Sequence, residues 1–174
     1  YMFSTENWKR PKEEVDGSFA LLSAWLIEAG PRMREAGIRL RHYGRREPLP
    51  AELLAALDGA CNPAGAEGGL LLGLAINYGG RAEIVDAVRG ALRRSPAARI
   101  DESGISAGLY TAGLPDPDLV VRPGGELRLS NFMLWQAAYA ELYFSPVLWP
   151  DVDEVELDRA LTAYAERHRR FGGL

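Results

Sequence analysis

The sequence predicts an α/β protein with a central, mainly parallel sheet flanked by helices. Short segments of strand length, alternating at 38–43 and mostly apolar at 70–76, 119–122 and 141–144, recur along the chain. Longer stretches with apolar residues at helical spacing lie between them. Strands that alternate with helices are joined by crossovers, and crossovers make neighbouring strands parallel. No internal repeat, heptad or dinucleotide-binding glycine fingerprint interrupts the pattern, and one domain over residues 1–174 is expected.

In chain order, Tyr1-Met2-Phe3 reads as the end of a strand, and residues 3–10 as a loop without periodicity. A helix from about Pro11 to Ala36 places Val15, Phe19, Leu22, Leu26 and Met33 on one stripe, and Gly30-Pro31 predicts a kink or break in it. Ile38 to Tyr43 alternates as a strand does and ends at Gly44. His42 in that strand suits a structural or exposed role better than a catalytic one. Pro50 to Ala60 forms a short amphipathic helix, and residues 62–69 a Gly/Ala/Pro-rich connection. Leu70 to Ile76 is continuously apolar, the mark of a strand buried on both faces. Asn77-Tyr78-Gly79-Gly80-Arg81 then turns into a helix, Ala82 to Arg94, with Val85, Val88 and Leu92 on one face. Residues 95–111 read as a loop and a short helix, and Leu119 to Arg122 as the next strand. Asn131 to Tyr139 is expected to be a helix with Phe132, Trp135 and Ala138 in the core, and Glu141 to Phe144 a strand. The last helix runs from Val152 to Phe171, capped by Asp151 or Asp153, with Val155, Leu161, Tyr164 and His168 facing the body or a partner.

At 174 residues the chain is long enough for one real core. A net charge of −4 argues against general nucleic-acid binding. Cys61 is the only cysteine, so an intrachain disulfide is impossible, which fits the cytosol. No apolar run approaches the length of a membrane span.

The chemistry concentrates where strand 119–122 ends, in Arg122-Pro123-Gly124-Gly125-Glu126-Leu127-Arg128-Leu129-Ser130-Asn131. Loops at the carboxyl ends of parallel strands line the ligand crevice of open α/β sheets. Two arginines, a glycine pair and a serine there form a candidate anion cradle: guanidinium groups grip phosphate oxygens in forked pairs, and hydroxyl and backbone N–H groups fill the rest. The competing reading is a surface turn with two solvated arginines. Strand, glycine turn and helix N-terminus at 77–81 is a generic anion-friendly geometry, equally explained by tight packing. Glu141 is the one acidic residue in an apolar stretch. By itself it fits a structural ion pair better than a metal ligand.

Three blocks together give a resemblance. Phe3-Ser4-Thr5-Glu6-Asn7-Trp8-Lys9-Arg10-Pro11, Asn77-Tyr78-Gly79-Gly80-Arg81 and the stretch from Pro115 to Asp151 around the arginine loop follow one another as in the cis-prenyltransferases, the undecaprenyl diphosphate synthase family. The resemblance implies the cis-prenyltransferase fold and condensation of isopentenyl diphosphate with an allylic diphosphate to a cis-prenyl diphosphate. It implies catalytic roles for Asn7 and Arg10, with Ser4, Trp8 and Arg10 over the reacting diphosphates. It assigns Arg122, Arg128 and Ser130 to the diphosphate of isopentenyl diphosphate, and Glu141 to Mg2+. Arg170 and Gly172 form the tail that crosses a homodimer interface in the C-terminal half and completes the partner's site.

A cytoplasmic enzyme that touches the membrane peripherally through its lipid product, without nucleic acid, completes that picture. The family also has an earlier strand and an Asp-Gly-Asn-Gly-Arg-type turn whose aspartate binds magnesium. No such turn occurs in these 174 residues, so the expectation is either that the domain lacks it or that these residues are part of a longer chain with the aspartate upstream. Pro123 stands where the family usually has threonine, a version that also resembles the branch coupling two dimethylallyl diphosphates irregularly into lavandulyl-type products. Non-catalytic subunits of the fold typically lose the active-site loop and arginine motifs that this chain keeps.

Overall fold

The computed structural model describes residues 1–61, 69–97 and 99–167. They form two compact units, residues 1–112 and 113–174.

In the first unit, β1 (Phe3–Ser4) passes through a 3-10 turn (Thr5–Lys9) into α1 (Lys12–Glu35). β2 (Arg39–Tyr43), α2 (Ala51–Ala60), β3 (Leu71–Tyr78), α3 (Gly80–Arg94) and α4 (Glu102–Ser106) follow. The sheet order is β1-β3-β2 and both pairings are parallel, as strands joined by helical crossovers require. β3 is the central strand, and residues 74–78 of it are buried. The α1 stripe Val15, Phe19, Leu22 and Leu26 meets Leu53 and Leu57 of α2 over Leu40, Leu74 and Ile76. Each such leucine contributes about 2 kcal/mol by leaving water. α1 and α2 approach closely at Gly30, where a β-carbon would lie 3.2 Å from that of Ala60.

α1 runs unbroken through Gly30-Pro31. Pro31 removes the bond to the Ile27 carbonyl, at a position where the helix is exposed: Ile27 is 68 % exposed. α3 also differs from expectation. Its buried positions are Gly80, Glu83 and Ala87, while Val85 and Leu92 are exposed. The reason is polar: the Glu83 carboxylate accepts from the Tyr78 hydroxyl at 2.5 Å and from the Tyr110 N–H at 2.9 Å, which draws that face inward.

In the second unit, β4 (Leu119–Arg122) and β5 (Glu141–Phe144) pair in parallel, and α5 (Glu154–Ala165) packs on β5. The Asp153 side chain caps α5 by accepting from the Glu156 N–H. The expected helix at 131–139 shrinks to a 3-10 turn at Gln136–Tyr139, because Ser130, Asn131 and Met133 hold positive φ values of 48°, 63° and 45° that no right-handed helix contains. Gln136 and Ala137 are buried there; Phe132 and Trp135 are half-buried and Ala138 is exposed. α5 ends at Ala165, short of Phe171, and its buried positions are Glu156 and Ala160, with Val155 and Leu161 exposed.

Candidate active site

The first group of candidates lies at the carboxyl end of β1. Ser4 caps the 3-10 turn, its hydroxyl accepting from the Glu6 N–H at 3.2 Å, while the Ser4 N–H donates to Asn7 Oδ1 at 2.8 Å. Residues 3–10 are thus a strand end and a capped turn rather than an irregular loop. The reciprocal bonds fix Asn7 relative to Ser4. Trp8 points inward: its ring packs against Phe3 and Phe19 with centroids 5.3 and 5.2 Å away, and its Nε1–H donates to Asn77 Oδ1 at 2.8 Å. Arg10 stays half-exposed beside Glu14 at 2.8 Å.

Behind this turn, the carboxyl ends of β2 and β3 carry a polar network that the motifs did not point to. Arg45 grips Asp86 with two bonds, 2.7 and 2.9 Å, and the Tyr110 hydroxyl donates to the same carboxylate at 2.6 Å. The Arg45 guanidinium, helped by Tyr110, holds the Asp86 carboxyl below its ordinary range against its partial burial. Burial and the bond to Asp86 push the Tyr110 hydroxyl upward. His42 Nε2 stands 2.9 Å from the Ile76 carbonyl oxygen, which fixes it as the protonated nitrogen. Burial lowers the pKa of His42, which favours the neutral ring. Nothing in residue spacing marks Asp86 or Tyr110, because their partners are far off in the chain.

The second group lies in the other unit. Arg122 ends β4, and its Nε is buried without a hydrogen-bond partner. Such an orphan is costly unless an acceptor reaches it. Arg39 Nε is orphaned too, but at the amino end of β2, away from where parallel strands bind ligands. Gly124 and Gly125 take φ values of 95° and 73°, which only glycine adopts freely. Their N–H groups donate to the carbonyls of Val147 and Ser145, each at 2.8 Å, so they hold the loop in place rather than face a phosphate. The cradle therefore offers side chains, not these backbone donors. Arg128, exposed, pairs with Glu126, and Ser130 sits in the left-handed region.

Glu141 opens β5 opposite Leu119, whereas Arg122 stands opposite Phe144, so the two occupy opposite ends of the ladder. Alternation also puts them on opposite faces. Glu141 shares the face of Tyr143, whose hydroxyl donates to Glu156 of α5. Arg167 binds Glu141 at 2.6 Å, an ion pair of the kind the bare sequence favoured. A carboxylate is a hard oxygen donor that suits magnesium, which commonly takes one or two carboxylates plus phosphate oxygens. Among the described residues no group of three or more His, Cys, Asp or Glu gathers to hold a metal by itself. Arg170 and Gly172 lie outside the described residues. No helix among the described residues is long and apolar enough to cross a membrane.

Known proteins agree with this arrangement of elements. The chain is 46 % identical over 179 residues to an isoprenyl transferase of Heliobacterium mobile, covering all of this chain and 69 % of the relative. It is 46 % identical over 183 residues to an isoprenyl transferase of Streptococcus mutans, covering all of this chain and 74 % of the relative. Two solved structures superpose on it. One is a lavandulyl diphosphate synthase from Lavandula x intermedia in complex with dimethylallyl diphosphate, with TM-score 0.90 and 35 % identity over 98 % of this chain and 76 % of that one. The other is described as "a probable undecaprenyl diphosphate synthase" from Campylobacter jejuni, with TM-score 0.84 and 36 % identity over 98 % of this chain and 80 % of that one. The family model described as "Putative undecaprenyl diphosphate synthase" matches residues 1–172. These matches span nearly all of the chain, which is therefore a member of the cis-prenyltransferase family, enzymes that transfer prenyl groups.

Proposed function

We propose that this chain condenses isopentenyl diphosphate with an allylic diphosphate to give a cis-prenyl diphosphate. The observation that carries the reading is Arg122, a guanidinium at the carboxyl end of a parallel strand with its Nε buried and unpaired. A diphosphate oxygen is the acceptor it lacks. In the reaction the isopentenyl alkene attacks C1 of the allylic partner, pyrophosphate leaves with the bonding electrons, and loss of a proton forms the new double bond. Catalysis then consists mainly of stabilising charge on the leaving diphosphate and orienting the two substrates. Arg122, Arg128 and Ser130 bind the diphosphate of isopentenyl diphosphate, with Arg128 exchanging Glu126 for substrate. Asn7 and Arg10 act at the reaction centre, with Ser4 and Trp8 shaping the turn beneath them. Bound Mg2+ would neutralise diphosphate oxygens, and Glu141 is the carboxylate of this chain that would help hold it.

The test is prenyl transfer with labelled isopentenyl diphosphate. Arg122→Ala is expected to raise KM for isopentenyl diphosphate and to lower turnover about a hundredfold, as loss of a charged contact to a developing anion does. An unchanged KM would remove Arg122 from that role. Because the ladder separates Glu141 from Arg122, Glu141 is tested by itself. Glu141→Gln should shift the magnesium titration of activity to higher concentration, and an unaltered titration would exclude it.

A second reading has support in Pro123-Gly124-Gly125 and in the lavandulyl diphosphate synthase neighbour. Proline lacks both the N–H and the hydroxyl of threonine, which weakens the diphosphate grip. Dimethylallyl diphosphate offered alone decides between them: product without isopentenyl diphosphate means irregular coupling. We also assign the chain to a single domain, a homodimer joined through its C-terminal half and a cytoplasmic location, with membrane contact only through the lipid product.

A further inference from the structure

Asn77, next to last in the central strand, takes a left-handed conformation, φ 51°, which asparagine tolerates better than most residues. It is buried, 3 % exposed. Its Oδ1 accepts from Trp8 Nε1–H at 2.8 Å, and its Nδ2 donates to the carbonyls of Arg45 and Glu47 at 3.0 and 2.8 Å. The indole only donates and the carbonyls only accept, so the orientation of the amide is determined. Trp8 is part of the turn that carries Asn7 and Arg10. The Asn77 side chain therefore joins three segments at the carboxyl end of the sheet: the turn after β1, the loop after β2 and β3 itself.

We propose that Asn77 is a positioning residue for prenyl transfer: it tethers the Thr5–Lys9 turn to the end of the central strand and so sets where Asn7 and Arg10 present their side chains. The inference rests on the reading of that turn as part of the active site. Other side chains cannot substitute. Aspartate keeps the acceptor for Trp8 but sets an oxygen against two carbonyl oxygens. Glycine keeps the backbone angle and loses every bond. Bulky or β-branched residues are strained at this φ.

The experiment uses the full chain as Asn77→Gly, Trp8→Phe and the double variant. Trp8→Phe keeps an aromatic ring, though a smaller one, against Phe3 and Phe19 and removes the indole donor, so it tests the tether without touching the strained position. Each single variant is expected to lower kcat about tenfold or more with a smaller change in KM, since misplacement of a catalytic group acts on turnover. The double variant should be no worse than the poorer single one, because Asn77→Gly already removes the bond that Trp8→Phe removes. The Trp8 indole N–H resonance in 15N-labelled protein, assigned by its loss in Trp8→Phe, should exchange slowly with solvent in the parent and quickly in Asn77→Gly. Parent-like kcat in folded Asn77→Gly, or losses that multiply in the double variant, would overturn the proposal. If the parent transfers no prenyl group with any substrate pair, the active-site reading fails. The indole exchange then still decides the tether: protection unchanged in Asn77→Gly sinks it, and protection lost upholds it.

Discussion

Gly44 has no room for a β-carbon: one placed there would lie 2.1 Å from the Ile76 carbonyl oxygen, and its φ of 131° excludes side chains in any case. The close approach lets the chain after β2 return past the end of β3, where Arg45 N–H donates to the Asn77 carbonyl at 3.2 Å and Asn77 reaches Arg45 and Glu47. Gly44→Ala must displace backbone, so it is expected to destabilise the protein by more than about 4 kcal/mol, measured by urea unfolding. A loss under about 1 kcal/mol would show that the crossing relaxes freely. Glycine after the strand was legible in the sequence as a strand end. The reason for it was not, because the neighbour it makes way for is 32 residues away.

At the scale of elements, apolar runs marked the strands well. β4 and β5 fall where the sequence placed them, as short runs of strand length between turn residues. The α1 stripe was equally legible, because a long helix repeats its pattern many times. What failed were features governed by distant polar partners or by backbone angles. α3 turned Glu83 inward because Tyr78 and Tyr110 supply donors, and 131–135 avoided a helix through left-handed residues that have no signature in side-chain pattern.

The site divides the same way. Residue types at Ser4, Asn7, Arg122 and Arg128 could be named from motifs, but the inward pin of Trp8 on Asn77 could not. The link from the β2 loop to α3 yields a pH prediction. Asp86 is held below its ordinary range chiefly by Arg45, so the pair stabilises the fold above the unfolded carboxyl value near 4. That contribution fades as pH falls through the lower folded value. The urea midpoint of the parent should therefore drop more steeply below about pH 4 than that of Asp86→Asn. Parallel curves would mean that the pair contributes nothing to folding.

At the scale of the molecule, the two units differ in what they bury. The main hydrophobic cluster lies wholly within residues 1–112. Among the described residues of the second unit, the buried apolar ones are Val120, Ala137 and Ala160, while Leu148, Trp149, Val155, Leu157 and Leu161 are more than a third exposed. A two-stranded ladder with one helix is too small a core to stand by itself. Leu157 and Leu161 are one helical turn apart, beside the buried Glu156 and Ala160, and form an apolar strip along α5. If a second copy covers this strip, as we propose for the C-terminal half, association and stability are linked by mass action. The parent should then sediment as a dimer, and its melting midpoint should rise with protein concentration. Leu157→Glu combined with Leu161→Glu places two charges on the strip without altering a buried residue. That variant should sediment as a monomer and melt lower at every concentration. A dimer of unchanged stability in the double variant would move the interface off α5, and a parent midpoint independent of concentration would separate dimerisation from the stability of the fold.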